Sequence, residues 1–298
     1  MGLNLKSYKM GKCSFNGAIF DKEGNEIHDV VKIRERWKEY FEELLNMEDM
    51  VVDNIDEYLP KQSTIIHHLF DKPFSEDEIS FALTHCGYNK AVGPDGIHIE
   101  CCRVMIDTKT NLKPEIKKFS NYVKLITEIM NNILDTGIIP DVWKNAIIAI
   151  IPKPGDSREC TNSRGLSLIS HLGKVIEICI QQRIQQIFDN IINGINETQF
   201  GSMSGKGIDD ALLISTMISS SALERNINLY KCFIDLKKAY DRVSRKILFK
   251  ILEKRGTPPK LLRLIRALHE ELVAHVRVHG DFSEGIQLNM GVKQGGVL

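Results

Sequence analysis

Asp235 is the residue whose type and position point most directly to chemistry. It lies near the end of an apolar run, Leu229–Leu236, whose length and content of Cys, Phe and Ile predict a buried strand. A carboxylate at the end of a core strand is costly unless it binds something. Mg²⁺ prefers one or two carboxylates together with substrate phosphates, so a divalent metal ion is one candidate.

The elements around this carboxylate are predicted from hydrophobic periodicity and end signals. The amphipathic segment Arg245–Arg255 predicts a helix, with Ser244 as its N-cap and Gly256 at its end. Nearer the N-terminus, Asp29 is predicted to open a helix, and Ser75 begins a capping box. Further helices are predicted at residues 114–135, 172–192, 208–225 and 260–271, and strands at residues 146–151, 273–278 and 285–288.

Charge is unevenly distributed along the chain. The 298 residues carry 39 basic and 39 acidic side chains, so the formal net charge is zero. Residues 1–140 hold 17 lysines and arginines against 23 acidic residues, whereas residues 141–298 hold 22 against 16. Phosphate binding needs a local cationic patch and not a basic total, so a nucleic-acid partner stays open. An apolar fraction of 43% supports a core and excludes global disorder.

Cysteine usage indicates a reducing compartment. The seven cysteines are an odd number, and no two have C-x-x-C spacing, so we predict free thiols and no zinc site. No segment resembles a signal peptide, and the apolar run at 146–151 is too short to span a bilayer. We therefore expect an intracellular protein, in the nucleus or the cytoplasm, that is not secreted and does not contact a membrane. The sequence leaves its oligomeric state open.

Several segments resemble motifs of one enzyme family. The segment F-I-D-L-K-K-A-Y-D at 233–241 resembles motif A of the reverse transcriptases of non-LTR (LINE-type) retrotransposons, and G-V-K-Q-G-G-V-L at 291–298 resembles the start of their motif B. Three further segments resemble signatures of the family's fingers region: K-A-V-G-P-D-G at 90–96, K-P-G-D at 153–156 and N-S-R-G-L-S-L at 162–168. Departures from the family pattern include Val92 and Ser163.

The resemblance covers about residues 75–298 and implies an α+β fold. That fold is the fingers and part of the palm of a right-hand polymerase, with an antiparallel palm sheet and packed helices. It implies a connecting segment with an amphipathic helix at 1–60, the fingers and the start of the palm at 61–228, and a partial palm at 229–298.

The resemblance also implies roles for individual residues. Asp235 would be catalytic and would bind metal together with the backbone carbonyl of Leu236, and Tyr240 would exclude a ribose 2′-hydroxyl. Without the resemblance, Lys153 and Arg164 would be interpreted as solvated cations, and Tyr240 as a core tyrosine. The implied dNTP-binding residues are Lys153, Arg164, Lys237, Lys238, Ala239 and Tyr240, and the implied template or primer contacts are Lys206, Gln294 and Gly295.

The implied reaction transfers a nucleotide from a dNTP to the 3′-hydroxyl of a DNA primer on an RNA template. In the family it uses two Mg²⁺ (or Mn²⁺) ions, whose remaining ligands come from a Y/F-A-D-D sequence. No such sequence occurs in this chain. A single carboxylate cannot hold two Mg²⁺ ions against their hydration, so we expect weak metal binding and no polymerase activity from the chain as given.

Two hypotheses follow from this mixture of motifs. The chain is part of an RNA-directed DNA polymerase, or it is a non-catalytic retroelement remnant that only binds nucleic acid through Lys153, Arg164 and neighbouring cations. A third hypothesis, an unrelated α/β binding protein, requires the motifs to coincide by chance. Unpaired core strands at a sheet edge also predict poor solubility of the isolated chain.

Overall fold

The structure, a computed structural model, describes residues 17–46, 55–59, 68–103, 120–190, 197–203, 205–293 and 295–297. It divides into two compact units. The first unit comprises Met1–Ile184 together with Ala239–Leu298, and the second comprises Gln185–Lys238. The predicted divisions at residues 60 and 228 stay predictions.

The described helices and strands come in groups along the chain. The helices are α1 (Val30–Leu45), α2 (Ile55–Tyr58), α3 (Glu76–His85), α4 (Ile99–Arg103), α5 (Ser120–Thr136), α6 (Asp141–Lys144), α7 (His171–Asn190), α8 (Ile208–Glu224), α9 (Arg245–Lys254) and α10 (Pro259–His269). The strands are β1 (Ile19–Phe20), β2 (Glu26–Ile27), β3 (Asn145–Pro152), β4 (Ser163–Leu168), β5 (Leu272–Val278), β6 (Asp281–Phe282) and β7 (Ile286–Leu288).

The main sheet of the first unit is mixed. Its strand order is β4-β3-β5-β6, and β7 also pairs with β5. β3 and β5 run parallel, while the other neighbours run antiparallel. The expectation of a purely antiparallel sheet is therefore wrong for the described residues. The long segment between β3 and β5 includes the described α-helices α7 to α10, and such a crossover allows the second strand to run in the same direction as the first.

Helix α1 covers one face of this sheet, as its apolar stripe predicts. The Asp29 carboxylate accepts hydrogen bonds from the amides of Val31 and Lys32, at 3.1 and 2.9 Å, which confirms it as the N-cap. Ile33 and Trp37 are buried against the core formed with β3, β5 and β7. Fully burying an aliphatic side chain such as that of Ile33 contributes roughly 1.5–3 kcal/mol, so this stripe holds the helix against the sheet.

Helix α3 begins with the predicted capping box and is tied to α7 by a buried arginine. The Ser75 hydroxyl accepts from the Glu78 amide, and the Glu78 carboxylate accepts from the Ser75 amide. Burial alone would raise the pKa of Glu78, but hydrogen bonds from Arg183 and Ser75 hold that pKa below its usual range. The Arg183 guanidinium binds both Glu78 oxygens, at 2.7 and 2.9 Å, and donates to three carbonyl oxygens, those of Phe70, Lys72 and Pro73.

The second unit contains α8 and the segment that precedes Ala239. Helix α8 spans Ile208–Glu224, as predicted, and the Asp210 carboxylate accepts from the Gly207 amide at 2.7 Å. The predicted strand Leu229–Leu236 is wrong: this segment has no regular secondary structure, and the side chains of Phe233 and Ile234 are 89% and 82% exposed. A strand needs a neighbour for its backbone groups, and the described part of this unit contains no strand to supply one.

Other sequence predictions hold with small shifts at helix ends. The predicted strand at 146–151 is confirmed as β3, and the strands at 273–278 and 285–288 correspond to β5 and β7. The helix predicted at 260–271 ends at His269, because Glu271 has a positive φ of 51° and β5 begins directly after it. Residues 114–119, 191 and 192 lie outside the described residues. Ser244 occupies the N-cap of α9, but its side chain makes no capping hydrogen bond.

None of the described helices is both long enough and apolar enough to cross a bilayer.

Candidate active site

The hairpin formed by β3 and β4 presents two cations on one face. Its register pairs Ile151 with Arg164, and the Lys153 amide continues the ladder by donating to the Asn162 carbonyl at 2.9 Å. Opposite residues of an antiparallel pair share a face, and so do residues two positions apart. Lys153 and Arg164 are therefore diagonal neighbours, and Arg164 lies on an exposed part of the strand.

The carboxylates near this hairpin are held by another arginine. Arg158 binds Asp156 and Glu26, and its hydrogen bonds lower the pKa of Asp156 to about 2. Within the part of the chain that the structure describes, neither Lys153 nor Arg164 forms an ion pair with a carboxylate. Two adjacent cations without an acidic partner can accept an anion such as a phosphate.

The turn at 93–96 packs against the end of β4. The Gly96 amide donates to the Gly93 carbonyl at 3.0 Å, which closes the turn. The Asp95 carboxylate accepts from the Ser170 hydroxyl, so the turn is tied to the residue that precedes α7. A Cβ atom on Gly93 would lie 2.4 Å from the backbone of Ile169, so this position excludes a side chain.

The motif around Asp235 is divided between the two units. Asp235, Leu236, Lys237 and Lys238 lie in the second unit, in an exposed segment without regular secondary structure. The Lys231 ammonium ties this segment to α8 by donating to Ser215 and Ser219 over 2.6–3.0 Å. Asp235 itself is exposed and not, as predicted, at the end of a buried strand.

The described residues fit one ligand of a two-ion metal site and not the whole site. They contain no group of three or more His, Cys, Asp or Glu side chains that could hold a metal ion. Mg²⁺ keeps much of its hydration and uses carboxylates together with substrate phosphates. The Asp235 carboxylate has the chemistry of one such ligand.

Tyr240 is held in the first unit by the turn at 291–293. The Val292 amide donates to the Tyr240 carbonyl, and the Gly291 amide donates to the Val243 carbonyl, both at 2.9 Å. Gly291 has a φ of 76°, and a Cβ atom there would lie 2.8 Å from the Asp241 carbonyl oxygen. Glycine is therefore required at 291 both for its backbone conformation and for this close approach.

Arg245 fastens the segment that leads into this turn. Its guanidinium donates to the carbonyl oxygens of Leu288, Met290 and Gly291 at 2.8–3.0 Å, and also to that of His269. Burial lowers the pKa of Arg245 to about 10. Four backbone carbonyls that converge on one side chain give the turn a defined position relative to α9.

The end of the same turn is fastened to α7. The Lys293 ammonium lies 3.2 Å from Glu177 Oε1, and the Val297 amide donates to Glu177 Oε2 at 2.9 Å. The Lys174 ammonium donates to the Gly295 carbonyl at 3.2 Å. Gln294 lies outside the described residues.

Comparison with known proteins identifies the matching part of the chain. A family profile described as "Reverse transcriptase (RNA-dependent DNA polymerase)" matches residues 151–298. Those residues belong to the reverse transcriptase family. They contain the cationic hairpin, Asp235, Tyr240 and the glycine-rich turn, so the expected resemblance to the enzymes of non-LTR retrotransposons is confirmed.

Several curated proteins from mobile elements are similar to this reverse transcriptase chain. The RNA-directed DNA polymerase from mobile element jockey of Drosophila melanogaster is 33% identical over 178 residues, which are 59% of this chain and 19% of that protein. The Transposon TX1 uncharacterized 149 kDa protein of Xenopus laevis is 24% identical over 280 residues, 93% of this chain and 20% of that protein. The retrovirus-related Pol polyprotein from type-1 retrotransposable element R2 of Popillia japonica is 26% identical over 231 residues, 76% of this chain and 29% of that protein. The chain thus spans about a fifth of the length of the first two relatives.

Lys206 lies in the second unit of this reverse transcriptase chain and is engaged by its own loop. Its ammonium donates to the Glu197 carbonyl at 2.7 Å and lies 5.5 Å from the centre of the Phe200 ring. Its role as a template or primer contact stays a prediction.

Arg245 and Glu177 are residues that the motifs of the sequence analysis missed. Each carried a local signal. Arg245 places a cation at the first position of a helix, where the helix dipole disfavours positive charge. Glu177 places a carboxylate between the buried residues Ile176 and Ile178 of α7. A charge in an unfavourable place indicates a specific partner elsewhere in the fold.

Proposed function

We propose that this chain forms the part of an RNA-directed DNA polymerase that binds the incoming dNTP and the paired template and primer. The reaction is nucleotidyl transfer: the primer 3′-hydroxyl attacks the α-phosphate of the dNTP, and pyrophosphate leaves. The shared face of Lys153 and Arg164 carries this proposal, because the two cations adjoin and have no acidic partner among the described residues. Both lie in the segment that matches the reverse transcriptase profile.

The proposed roles follow from the chemistry of a triphosphate. Lys153 and Arg164 neutralise phosphate charge that grows in the transition state. Lys237, Lys238 and Ala239 are proposed dNTP contacts, and the Tyr240 side chain is proposed to exclude a ribose 2′-hydroxyl. Asp235 and the Leu236 carbonyl are proposed metal ligands; two bound Mg²⁺ or Mn²⁺ ions would stabilise the attacking and leaving oxygens. The proposed template and primer contacts are Lys206, Gln294 and Gly295.

The proposed partners are an RNA template, a DNA primer and a dNTP. We also propose that the chain works inside the cell. The described cysteines, Cys86, Cys101, Cys102, Cys160, Cys179 and Cys232, are all free thiols, which agrees with a reducing compartment.

A binding experiment tests the phosphate role of the hairpin. Fluorescence anisotropy would follow a labelled RNA–DNA primer-template hybrid with this chain, with and without the complementary dNTP. We expect affinity to fall as salt rises, and the correct dNTP to strengthen binding. Arg164→Ala should remove the dNTP effect and weaken the ternary complex about tenfold, since a hydrogen bond to a charged group contributes roughly 1.5–3 kcal/mol.

Lys32→Ala supplies the matched control. Lys32 is an exposed cation on α1 that makes no ion pair within the described residues. Its substitution should leave both affinities unchanged. Salt-dependent binding that ignores the dNTP in every variant would favour the alternative, a non-catalytic remnant that only binds nucleic acid. Primer extension by this chain would contradict the expectation that it is inactive on its own.

A further inference from the structure

The glycine-rich turn, described at 291–293 and 295–297, is bound by a charge pair of which one member, Glu177, lies outside the family motifs. Glu177 of α7 and Lys293 of the turn face each other at 3.2 Å, and their side chains are 2% and 5% exposed. The second Glu177 oxygen accepts from the Val297 amide at 2.9 Å. One carboxylate therefore binds the turn both through a side chain and through the backbone.

Helix α7 presents a second group to the same turn. Lys174 lies three residues before Glu177, so the two side chains share a helix face. The Lys174 ammonium donates to the Gly295 carbonyl at 3.2 Å. The helix thus offers a donor for one peptide group of the turn and an acceptor for another, which defines the orientation of the backbone between them.

The glycines of the turn leave no free space around this contact. A Cβ atom on Gly296 would lie 3.0 Å from Glu177 Oε2, and one on Gly295 would lie 2.6 Å from the Ser167 carbonyl oxygen. Gly295 also has a φ of 128°. The turn is therefore seated between α7 and β4, the strand that carries Arg164.

Stability does not account for a buried charge pair at this position. Desolvation of two charges often offsets their attraction, and well-packed apolar residues frequently replace such pairs without loss of stability. A carboxylate that accepts a hydrogen bond from a backbone amide fixes the position of that peptide group. An apolar side chain cannot do this. The contact geometry thus indicates a role in positioning.

We propose that Glu177 is a positioning residue of this reverse transcriptase site. Through the Val297 amide and the Lys293 ammonium, it holds the turn in the conformation that meets the template and the nascent base pair. This inference rests on the proposed function for its nucleic-acid partner. The seating of the turn itself does not depend on that function.

Two double variants separate positioning from charge pairing. Glu177→Gln with Lys293→Met removes both charges but keeps an oxygen that can accept from the Val297 amide. Glu177→Leu with Lys293→Met also removes both charges and lacks that oxygen. Neither variant leaves an unpaired buried charge, so both should fold and melt within a few degrees of each other.

Hydrogen exchange of the turn is the first readout, and affinity for an RNA–DNA primer-template hybrid is the second. We expect the wild type and the Gln-containing variant to protect the Val297 amide. The Leu-containing variant should exchange that amide about tenfold faster and bind the hybrid about tenfold more weakly, since an amide without its acceptor opens readily. If the Leu-containing variant does not fold, Glu177→Asp replaces it, because the shorter side chain keeps the charge but reaches the amide less well.

Equal exchange and equal affinity in the two double variants would overturn the proposal and reduce Glu177 to a core ion pair. If exchange differs and affinity does not, the turn does not meet the nucleic acid and the inference fails. If the wild-type chain does not bind the hybrid at all, the proposed function fails. In that case the exchange result alone decides whether Glu177 positions the turn.

Discussion

Single side chains hold the backbone around the candidate site. Arg245 donates to four carbonyl oxygens and fastens the strand that leads into the glycine-rich turn. Glu177 and Lys174 fasten the end of the same turn to α7. These contacts lie within the first unit, so the turn and Tyr240 keep a defined position there.

Replacing Arg245 by Met should destabilise the first unit strongly. The apolar side chain fills similar space but donates to none of the four carbonyls, and leaving buried polar groups without partners costs about 3 kcal/mol in total. Urea denaturation followed by circular dichroism would measure the loss in free energy of unfolding.

Arg242→Met is the matched control for this prediction, because Arg242 is exposed and lies just three residues earlier. It should change the free energy of unfolding little. Equal effects of the two substitutions would mean that water or other donors satisfy the carbonyls that Arg245 now binds.

At the scale of elements, one acidic residue joins two helices. Glu78 completes the capping box of α3 and also binds Arg183 of α7. Ser75→Ala removes part of the cap and should cost about 1 kcal/mol. Glu78→Ala also leaves the buried Arg183 guanidinium without its carboxylate and should cost about 3 kcal/mol.

Thermal and urea denaturation of the two α3 variants would test this difference. Glu76→Ala serves as the control, since Glu76 is an exposed acid in the first turn of the same helix. If Ser75→Ala and Glu78→Ala had equal effects, the carbonyls of Phe70, Lys72 and Pro73 alone would satisfy Arg183.

The longer helices of this chain were predictable because their signals are local. Asp29 and Ser75 cap the helices that follow them, and Gly137 and Gly256 adopt positive φ where α5 and α9 have ended. The apolar run at 229–236 has the composition of a strand, yet it pairs with no strand among the described residues. Strand formation depends on a partner that periodicity does not reveal.

At the scale of the whole molecule, exposed apolar side chains are concentrated in the second unit. Helix α8 has no buried residue, and the segment that follows exposes Tyr230, Phe233 and Ile234. Contiguous apolar surface of this kind promotes association in water. These exposed side chains add a second reason to the prediction of poor solubility, which was based on unpaired strands at a sheet edge.

Ile234→Lys should lower the fraction of the chain that sediments as aggregate. Ile138→Lys is the matched control, because Ile138 is similarly exposed, at 73%, but belongs to the first unit. Analytical ultracentrifugation at several concentrations would compare the variants. A wild-type chain that stays monomeric at all concentrations would contradict the prediction.

The amino-acid sequence by itself determined the family motifs, several helix ends and the strands β3, β5 and β7. Each depends on residues that lie close together in the chain: a cap and its amides, a glycine at positive φ, or an apolar run between turns. Lys153 and Arg164 could be identified from the sequence for the same reason, because the two strands of one hairpin bring them together.

The tertiary structure decided which partners those elements meet. It paired β3 with β5 in parallel, left Asp235 in an exposed segment, and bound Arg245, Glu177 and Lys293 to specific partners. The groups that make these contacts lie tens to more than a hundred residues apart, so no local pattern encodes them. Burial of a charge becomes favourable only when its partner arrives from elsewhere in the fold, and that meeting is a property of the packed chain.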